Sequence, residues 1–113
     1  MIGFSALKGD FLEKEINGLL EGFMVNHSKN WSLNTDYHFG GYAKWTEELI
    51  SFINQMHPKI TLDPVYTGKM FFGIFDLIEK GFFREGSSIV VIHTGGLQGI
   101  KGFNQRFGDL LET

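Results

Sequence analysis

Two junctions, each between an apolar run and a helical pattern, constrain the fold of this 113-residue chain more than any other feature. The first is the octet LDPVYTGK at residues 62–69, and the second is IHTGG at residues 92–96. In an open parallel α/β sheet, the carboxyl ends of the strands meet the N-termini of helices. Ligands bind there because free backbone N–H groups converge. The chain therefore offers two such strand ends, and each carries a threonine hydroxyl.

Strand and helix patterns alternate along the rest of the chain. Apolar runs at residues 2–7, 59–62 and 88–92 are typical of strands, and the last has the continuous apolar character of a strand covered on both faces. Apolar residues at helical spacing predict helices at about 10–24, 46–56, 70–81 and 99–111. This alternation predicts an α/β fold with right-handed crossovers.

Three local features carry specific expectations. Thr46 is followed by two glutamates, which predicts the N-cap of the second helix. Gly73 lies inside an apolar helix at a cost of about 1 kcal/mol relative to alanine, so we expect a close approach there to a sheet or a cofactor ring. Residues 25–44 lack periodicity and predict a loop of unusual length, which is more often functional than passive.

Composition argues against several kinds of partner. A net charge of −3, with ten Lys and Arg residues and no basic run, argues against nucleic acid. The chain has no cysteine, and four histidines lack metal-ligand spacing, so we expect no metal site: His27, His38, His57 and His93. No apolar stretch reaches the length of a membrane span. We expect a cytoplasmic protein without a membrane partner.

The octet, the apolar helix after it and VVIHTGG at residues 90–96 together resemble the C-terminal part of one enzyme family. This is the family of D-cysteine desulfhydrase and 1-aminocyclopropane-1-carboxylate deaminase. IGFSALKG at residues 2–9 and the pair Gly41-Tyr42 follow the family order, so the resemblance covers nearly the whole chain. The resemblance implies pyridoxal phosphate as cofactor. It also implies a three-layer α/β/α fold with a mostly parallel sheet, the C-terminal portion of the large domain of a fold type II, tryptophan-synthase-β-like enzyme.

The same resemblance implies that residues 1–113 form a single incomplete domain. In this family, the lysine that binds the cofactor covalently and the loop that holds its phosphate lie in the N-terminal portion, and neither motif occurs here. We therefore expect no covalent cofactor on this chain and no activity from it alone. The twelve phenylalanines suggest aromatic surface that is covered by the missing N-terminal segment or by a second subunit of a homodimer.

Two tyrosines are the catalytic candidates that the resemblance implies. Tyr66 matches the tyrosine of the family octet and is expected to transfer a proton or assist a nucleophile near the substrate. Tyr42 matches a tyrosine that faces the cofactor and the substrate, although Ala43 stands where the family has a glycine. From the residues alone, Tyr66 is equally a rigid wedge in a turn, and Tyr42 an aromatic staple that closes a loop.

Four further residues are implied to bind the cofactor: Thr67, Thr94, Gly95 and Gly96. A threonine hydroxyl can hydrogen-bond the pyridine nitrogen without delivering a full proton. From the residues alone, Thr67 is equally a helix N-cap.

The two threonines also guide the expected reaction. The deaminase-type motif of the family has Glu and Leu at these two positions, whereas the desulfhydrase-type motif has Thr at both, as this chain does. We therefore predict elimination of sulfide and ammonia from D-cysteine or a related small amino acid, which leaves pyruvate. Ring-opening deamination of 1-aminocyclopropane-1-carboxylate is the alternative. A third interpretation is a non-catalytic α/β fragment that only self-associates or binds a partner.

Overall fold

The computed structural model describes residues 1–23 and 30–113 and contains two strands and four helices in these ranges. In chain order they are β1 (Ile2–Phe4), α1 (Leu12–Gly22), β2 (Ser32–Asn34), α2 (Glu47–Met56), α3 (Thr67–Glu79) and α4 (Gln98–Phe107). β1 and β2 pair in parallel, with Ile2 opposite Ser32 and Phe4 opposite Asn34. The predicted α/β class with a parallel sheet is confirmed.

Strand β2 lies inside the region that was predicted to be a loop. It has only three residues, which is too short for a period of two to stand out in the sequence. Its stability comes from β1: Ser32 N–H donates to the Met1 carbonyl at 2.9 Å, and Ser5 N–H donates to the Asn34 carbonyl at 3.0 Å. The loop prediction is therefore wrong for β2, whereas residues 35–44 are irregular as predicted. Residues 25–29, which include His27, lie outside the described residues.

Two predicted strands do not form. Residues 59–62 and 88–92 are irregular, and the only sheet in the described part of the chain is the pair β1 and β2. A strand needs a neighbour that takes up its backbone N–H and C=O groups, and neither run has one. The second run was predicted to be covered on both faces, but Val90 is 90% and Ile92 68% exposed. An apolar run shows that a segment can bury its side chains in a sheet, but it does not show whether a neighbouring strand is present.

The core lies between α2, the segment before α3, α4 and the C-terminal residues. Its buried apolar side chains are Leu49, Ile50, Ile53, Leu62, Ile100 and Leu111. Helix α2 begins at the predicted cap, because the Thr46 hydroxyl accepts a hydrogen bond from Leu49 N–H at 3.2 Å. This core fixes the N-terminal end of α3, where the octet lies.

Gly73 allows α3 to lie directly on the sheet. A Cβ atom at this position would be 2.7 Å from Phe4 Cε1 and 2.9 Å from Tyr37 Cδ2, closer than real Cβ contacts come. Phe4 ends β1, and Tyr37 follows β2. The predicted close approach of α3 to a sheet is confirmed, and the glycine is needed for it.

We expect Gly73→Ala to destabilise the chain by roughly 1–2 kcal/mol. Overpacking of a buried site costs about 1–3 kcal/mol, and the better helix propensity of alanine returns up to about 1 kcal/mol. The control is Gly18→Ala in α1, where a Cβ atom would meet nothing within 4 Å. Urea unfolding should show a loss of stability for the first variant and a small gain for the second. A gain for both would mean that α3 does not touch the sheet at Gly73.

Candidate active site

The octet folds into a turn that is closed by one buried carboxylate. Asp63 is 1% exposed. Its Oδ2 accepts from the N–H groups of Val65 at 2.8 Å and Tyr66 at 2.9 Å, and its Oδ1 accepts from Thr67 N–H at 2.9 Å. N–H groups at the start of a helix have no partner within the helix, and negative charge is favourable there. Asp63 therefore stabilises both the turn and the start of α3.

The hydroxyl of Thr67 has two partners, and both belong to Asp63. It donates to Asp63 Oδ1 at 2.5 Å and accepts from Asp63 N–H at 2.9 Å. The N-cap of α3 is Tyr66, so the alternative interpretation of Thr67 as an N-cap is wrong. Because a hydroxyl has a single hydrogen, Thr67 has no hydrogen left for a ligand. Thr67 is also 1% exposed, so a ligand does not reach its hydroxyl in the described structure.

The second junction lies beside this turn. A Cβ atom on Gly96 would lie 3.2 Å from Asp63 Oδ1, so the glycine backbone packs against the carboxylate. His93 Nε2 lies 2.9 Å from the carbonyl oxygen of Thr61, and His93 Nδ1 accepts from Gly95 N–H at 3.0 Å. His93 thus connects the two junctions. The structure brings together the two segments that the sequence singled out.

Thr94 and Gly95 border open space. Thr94 is exposed, and its hydroxyl forms no hydrogen bond with any other residue that the structure describes. A Cβ atom on Gly95 would meet nothing within 4 Å, and Gly95 has a φ of 93°, which glycine adopts without steric cost. A flat ligand can approach this backbone closely and find an unpaired hydroxyl beside it.

Tyr66 and Tyr42 form a pair at the surface near the same turn. The Tyr66 hydroxyl donates to the Tyr42 hydroxyl at 3.3 Å, and the two ring centroids are 6.1 Å apart. Both rings are about half exposed. The hydrogen bond to Tyr42, followed by burial and by the charges of Tyr42 and Asp63, raises the pKa of Tyr66 above its ordinary value. Tyr66 therefore holds its proton at neutral pH and can act as a proton donor.

The turn that carries Tyr42 has an unusual backbone. Gly40 and Gly41 have φ values of 102° and 124°, and Ala43 has a φ of 58°, in the left-handed region. Glycine favours this region and alanine does so rarely. The conformation of Ala43 therefore supports the register in which it replaces a glycine of the family motif.

Sequence reasoning missed Lys69 as a residue of this site. Its side chain is 2% exposed, and Nζ donates to the carbonyl oxygens of His38 at 2.8 Å and Gly41 at 2.9 Å. Burial lowers the pKa of Lys69, although the nearby charge of Asp63 acts in the opposite direction. A lysine in the first turn of a helix usually points to water, so no sequence pattern distinguishes this one.

Other kinds of site have no counterpart in the ranges 1–23 and 30–113. No three side chains of His, Asp or Glu in them are grouped so that they could hold a metal ion. No helix there is both long enough and apolar enough to cross a membrane.

Comparisons with known proteins find relatives that are named as deaminases. A Pyrococcus abyssi protein named "Putative 1-aminocyclopropane-1-carboxylate deaminase" is 44% identical over 78 residues, which are 67% of this chain and 23% of that protein. The 1-aminocyclopropane-1-carboxylate deaminase of Rhizobium leguminosarum bv. viciae is 38% identical over 80 residues, which are 68% of this chain and 23% of that enzyme. No family model matches the sequence.

The fold agrees with these similarities. A crystal structure described as that of "the ACC deaminase homologue" matches 97% of this chain with a TM-score of 0.78 and 34% sequence identity. The chain corresponds to 35% of that structure, and it spans 23% of the length of the two relatives above. By sequence and by fold, the chain belongs to the family of 1-aminocyclopropane-1-carboxylate deaminases and their homologues, and it represents a part of the length of its members.

Proposed function

We propose that the whole protein is a pyridoxal-phosphate-dependent enzyme that deaminates a small amino acid by opening the ring of 1-aminocyclopropane-1-carboxylate. The observation that carries the proposal is the tyrosine pair, in which Tyr66 holds its proton at the end of the same turn whose Asp63 packs against Gly96. The names of the relatives favour this reaction over the elimination of sulfide. The 113 residues supply one side of the site, and the covalent lysine and the phosphate loop are expected in the rest of the protein.

The residues present fit pyridoxal phosphate at the second junction. The unpaired hydroxyl of Thr94 and the open backbone at Gly95 can hold the edge of a flat ring, whereas Gly96 packs against Asp63. Thr67 does not take part in this contact in the described structure, because it is 1% exposed and its hydrogen is donated to Asp63. When bound, pyridoxal phosphate supplies the electron sink for breaking a bond of the amino acid.

The tyrosine pair would manage protons at the substrate. Opening the cyclopropane ring leaves a carbon that must gain a proton, and a phenol within reach can deliver it. The pKa of an ordinary phenol is about 10, and that of Tyr66 is higher, so the donor form persists throughout the neutral range. In the described structure the hydrogen of Tyr66 is directed at Tyr42, so Tyr66 would deliver its proton by turning its hydroxyl from Tyr42 to the substrate.

Elimination of sulfide from D-cysteine is the second candidate. Thr67 and Thr94 favour it, because the desulfhydrase-type motif of the family has threonine at both positions. Thr67 does not donate to a ring nitrogen, since its hydrogen is donated to Asp63. Thr94 alone keeps a hydroxyl hydrogen for that purpose.

We further propose that the rest of the protein, or a second subunit of a homodimer, covers the apolar side chains that this chain exposes. The proposal rests on the run at 88–92 and on Phe82, which is 60% exposed. The run is a continuous segment of exposed apolar residues, and apolar surface of this kind is typical of an interface.

The function is tested with the complete protein and pyridoxal phosphate, offered 1-aminocyclopropane-1-carboxylate and D-cysteine in parallel. We expect ketobutyrate and ammonia from the first substrate, at a higher kcat/KM than sulfide and pyruvate from the second. Sulfide without ketobutyrate would replace the proposed substrate by the second candidate. The absence of both products would contradict the proposed function.

A further inference from the structure

Lys69 is the largest fully buried side chain among the described residues. Removing an ammonium group from water is costly unless the group finds strong partners. Its partners here are two backbone carbonyls, and no carboxylate of the described residues forms an ion pair with it. The cost of removing its ammonium group from water offsets much of what these two hydrogen bonds contribute to stability. Its contacts therefore point to a role in placing the segment that it binds.

The two carbonyls belong to the turn that carries Tyr42. The carbonyl of Gly41 is part of the peptide group that joins Gly41 to Tyr42, and a peptide group is planar. A hydrogen bond to this oxygen therefore also fixes the direction in which the backbone enters Tyr42. Lys69 lies three residues after Tyr66, in the first turn of α3. One side chain thus connects the backbones of both tyrosines.

The hydrogen bonds within the turn do not attach it to α3, and its other contact with α3 is the edge-to-face packing of Phe39 on Phe72, with centroids 4.9 Å apart. Within the turn, Gly41 N–H donates to the His38 carbonyl at 3.2 Å, and Lys44 N–H donates to the Gly41 carbonyl at 3.1 Å. Ala43 and Phe39 are non-glycine residues with positive φ, and such conformations persist only when surrounding contacts enforce them. Besides the Tyr42 to Tyr66 hydrogen bond, Lys69 makes the hydrogen bonds from α3 to the described turn.

We propose that Lys69 is a positioning residue that holds the turn of residues 38–42 on the first turn of α3, so that the hydroxyl of Tyr42 meets that of Tyr66. A catalytic role for Lys69 rests on the proposed function, in which the tyrosine pair acts on the substrate. Lys69 would then hold the two tyrosines in place for that reaction. The geometry itself depends on neither cofactor nor substrate.

The test uses the full 113-residue chain with ¹³Cζ-labelled tyrosine. The chain has three tyrosines, so their ring signals can be assigned and followed as the pH rises. In Lys69→Met the turn should come away from α3, and the pKa of Tyr66 should fall towards the ordinary phenol value of about 10. Loss of a positive charge near a phenol raises its pKa, so a fall cannot result from the missing charge alone. A Tyr66 pKa that stays unchanged or rises would overturn the proposal.

Two controls separate positioning from general damage. Tyr37 donates to Asp76 of α3 at 2.6 Å, and its raised pKa should persist in Lys69→Met if α3 is intact. Lys101→Met removes the same charge from an exposed position in α4 and should leave Tyr66 unchanged. A fall of the Tyr66 pKa in Lys101→Met would also overturn the proposal.

A second measurement needs no substitution. In the unaltered chain, ¹⁵N-labelled Lys69 should show Nζ protons that exchange slowly with water, with couplings across the hydrogen bonds to the carbonyl carbons of His38 and Gly41. Fast exchange without couplings would overturn the proposal even if Lys69→Met failed to fold. Neither measurement requires activity, so failure of the proposed function and failure of this inference are distinguishable.

Discussion

Asp63→Ala should destabilise the chain by about 3–5 kcal/mol and abolish the turn at the start of α3. Four donors lose their acceptor: the N–H groups of Val65, Tyr66 and Thr67, and the Thr67 hydroxyl. A buried donor without an acceptor costs about 1–3 kcal/mol, and both donors of Thr67 are buried. This loss is a large share of the stability of a small domain, which is about 5–15 kcal/mol. Urea unfolding followed by circular dichroism measures the effect.

Two further variants show that the acceptor, not the charge, is responsible. Asp10→Ala removes a carboxylate from an exposed position and should change the free energy of unfolding by less than about 0.5 kcal/mol. Asp63→Asn removes the charge but keeps one amide oxygen, which can accept from two of the four donors, so its loss should lie between those of Asp10→Ala and Asp63→Ala. If Asp63→Ala were about as stable as Asp10→Ala, the described capping of α3 would be incorrect.

Tyr66→Phe should lower the turnover of the complete protein by about 10²–10⁴-fold, which is the usual contribution of a positioned acid or base. The ring and its packing remain, and only the proton donor is lost. Tyr42→Phe should have a smaller effect, because it removes the partner that raises the pKa of Tyr66 and leaves the donor in place. Steady-state kinetics measures both, and the cofactor absorbance should remain because neither hydroxyl is needed to hold the ring.

The matched control for these variants is Tyr37→Phe. It removes the same atom from a tyrosine that is bonded to Asp76 and packs on Phe4, away from the octet. Its turnover should stay near that of the unaltered protein. Full turnover in Tyr66→Phe would instead support the interpretation of Tyr66 as a rigid wedge in the turn.

Local features of the fold could be predicted from the sequence because their causes are local. The cap at Thr46 follows from one hydroxyl before a helix, and the contact at Gly73 follows from one glycine that a helix would otherwise avoid. The strand at residues 88–92 was predicted wrongly because its cause is not local. A strand depends on a partner far along the chain, and the sequence pattern is the same whether that partner is present or absent.

In the candidate site, too, some features could be predicted from the sequence and others could not. The two junctions could be identified from the types and order of their residues. The hydrogen bonds of Thr67 and Lys69 could not, because each depends on which carbonyl or carboxylate the folded chain brings within about 3 Å. The predicted reaction depended on such contacts as well. The sequence favoured D-cysteine because of two threonine hydroxyls, but one of them donates its hydrogen to Asp63. The names of the relatives favour the other substrate.

The proposed function requires that Tyr66 and Tyr42 face the reacting atoms of an amino acid bound to the cofactor. A crystal structure of the complete protein with pyridoxal phosphate and a substrate analogue tests this requirement most directly. We expect the Tyr66 hydroxyl to lie within hydrogen-bonding distance of the analogue, about 2.6–3.2 Å, with Thr94 and Gly95 at the edge of the ring. A cofactor bound elsewhere, with both tyrosine hydroxyls beyond the reach of the analogue, would contradict it.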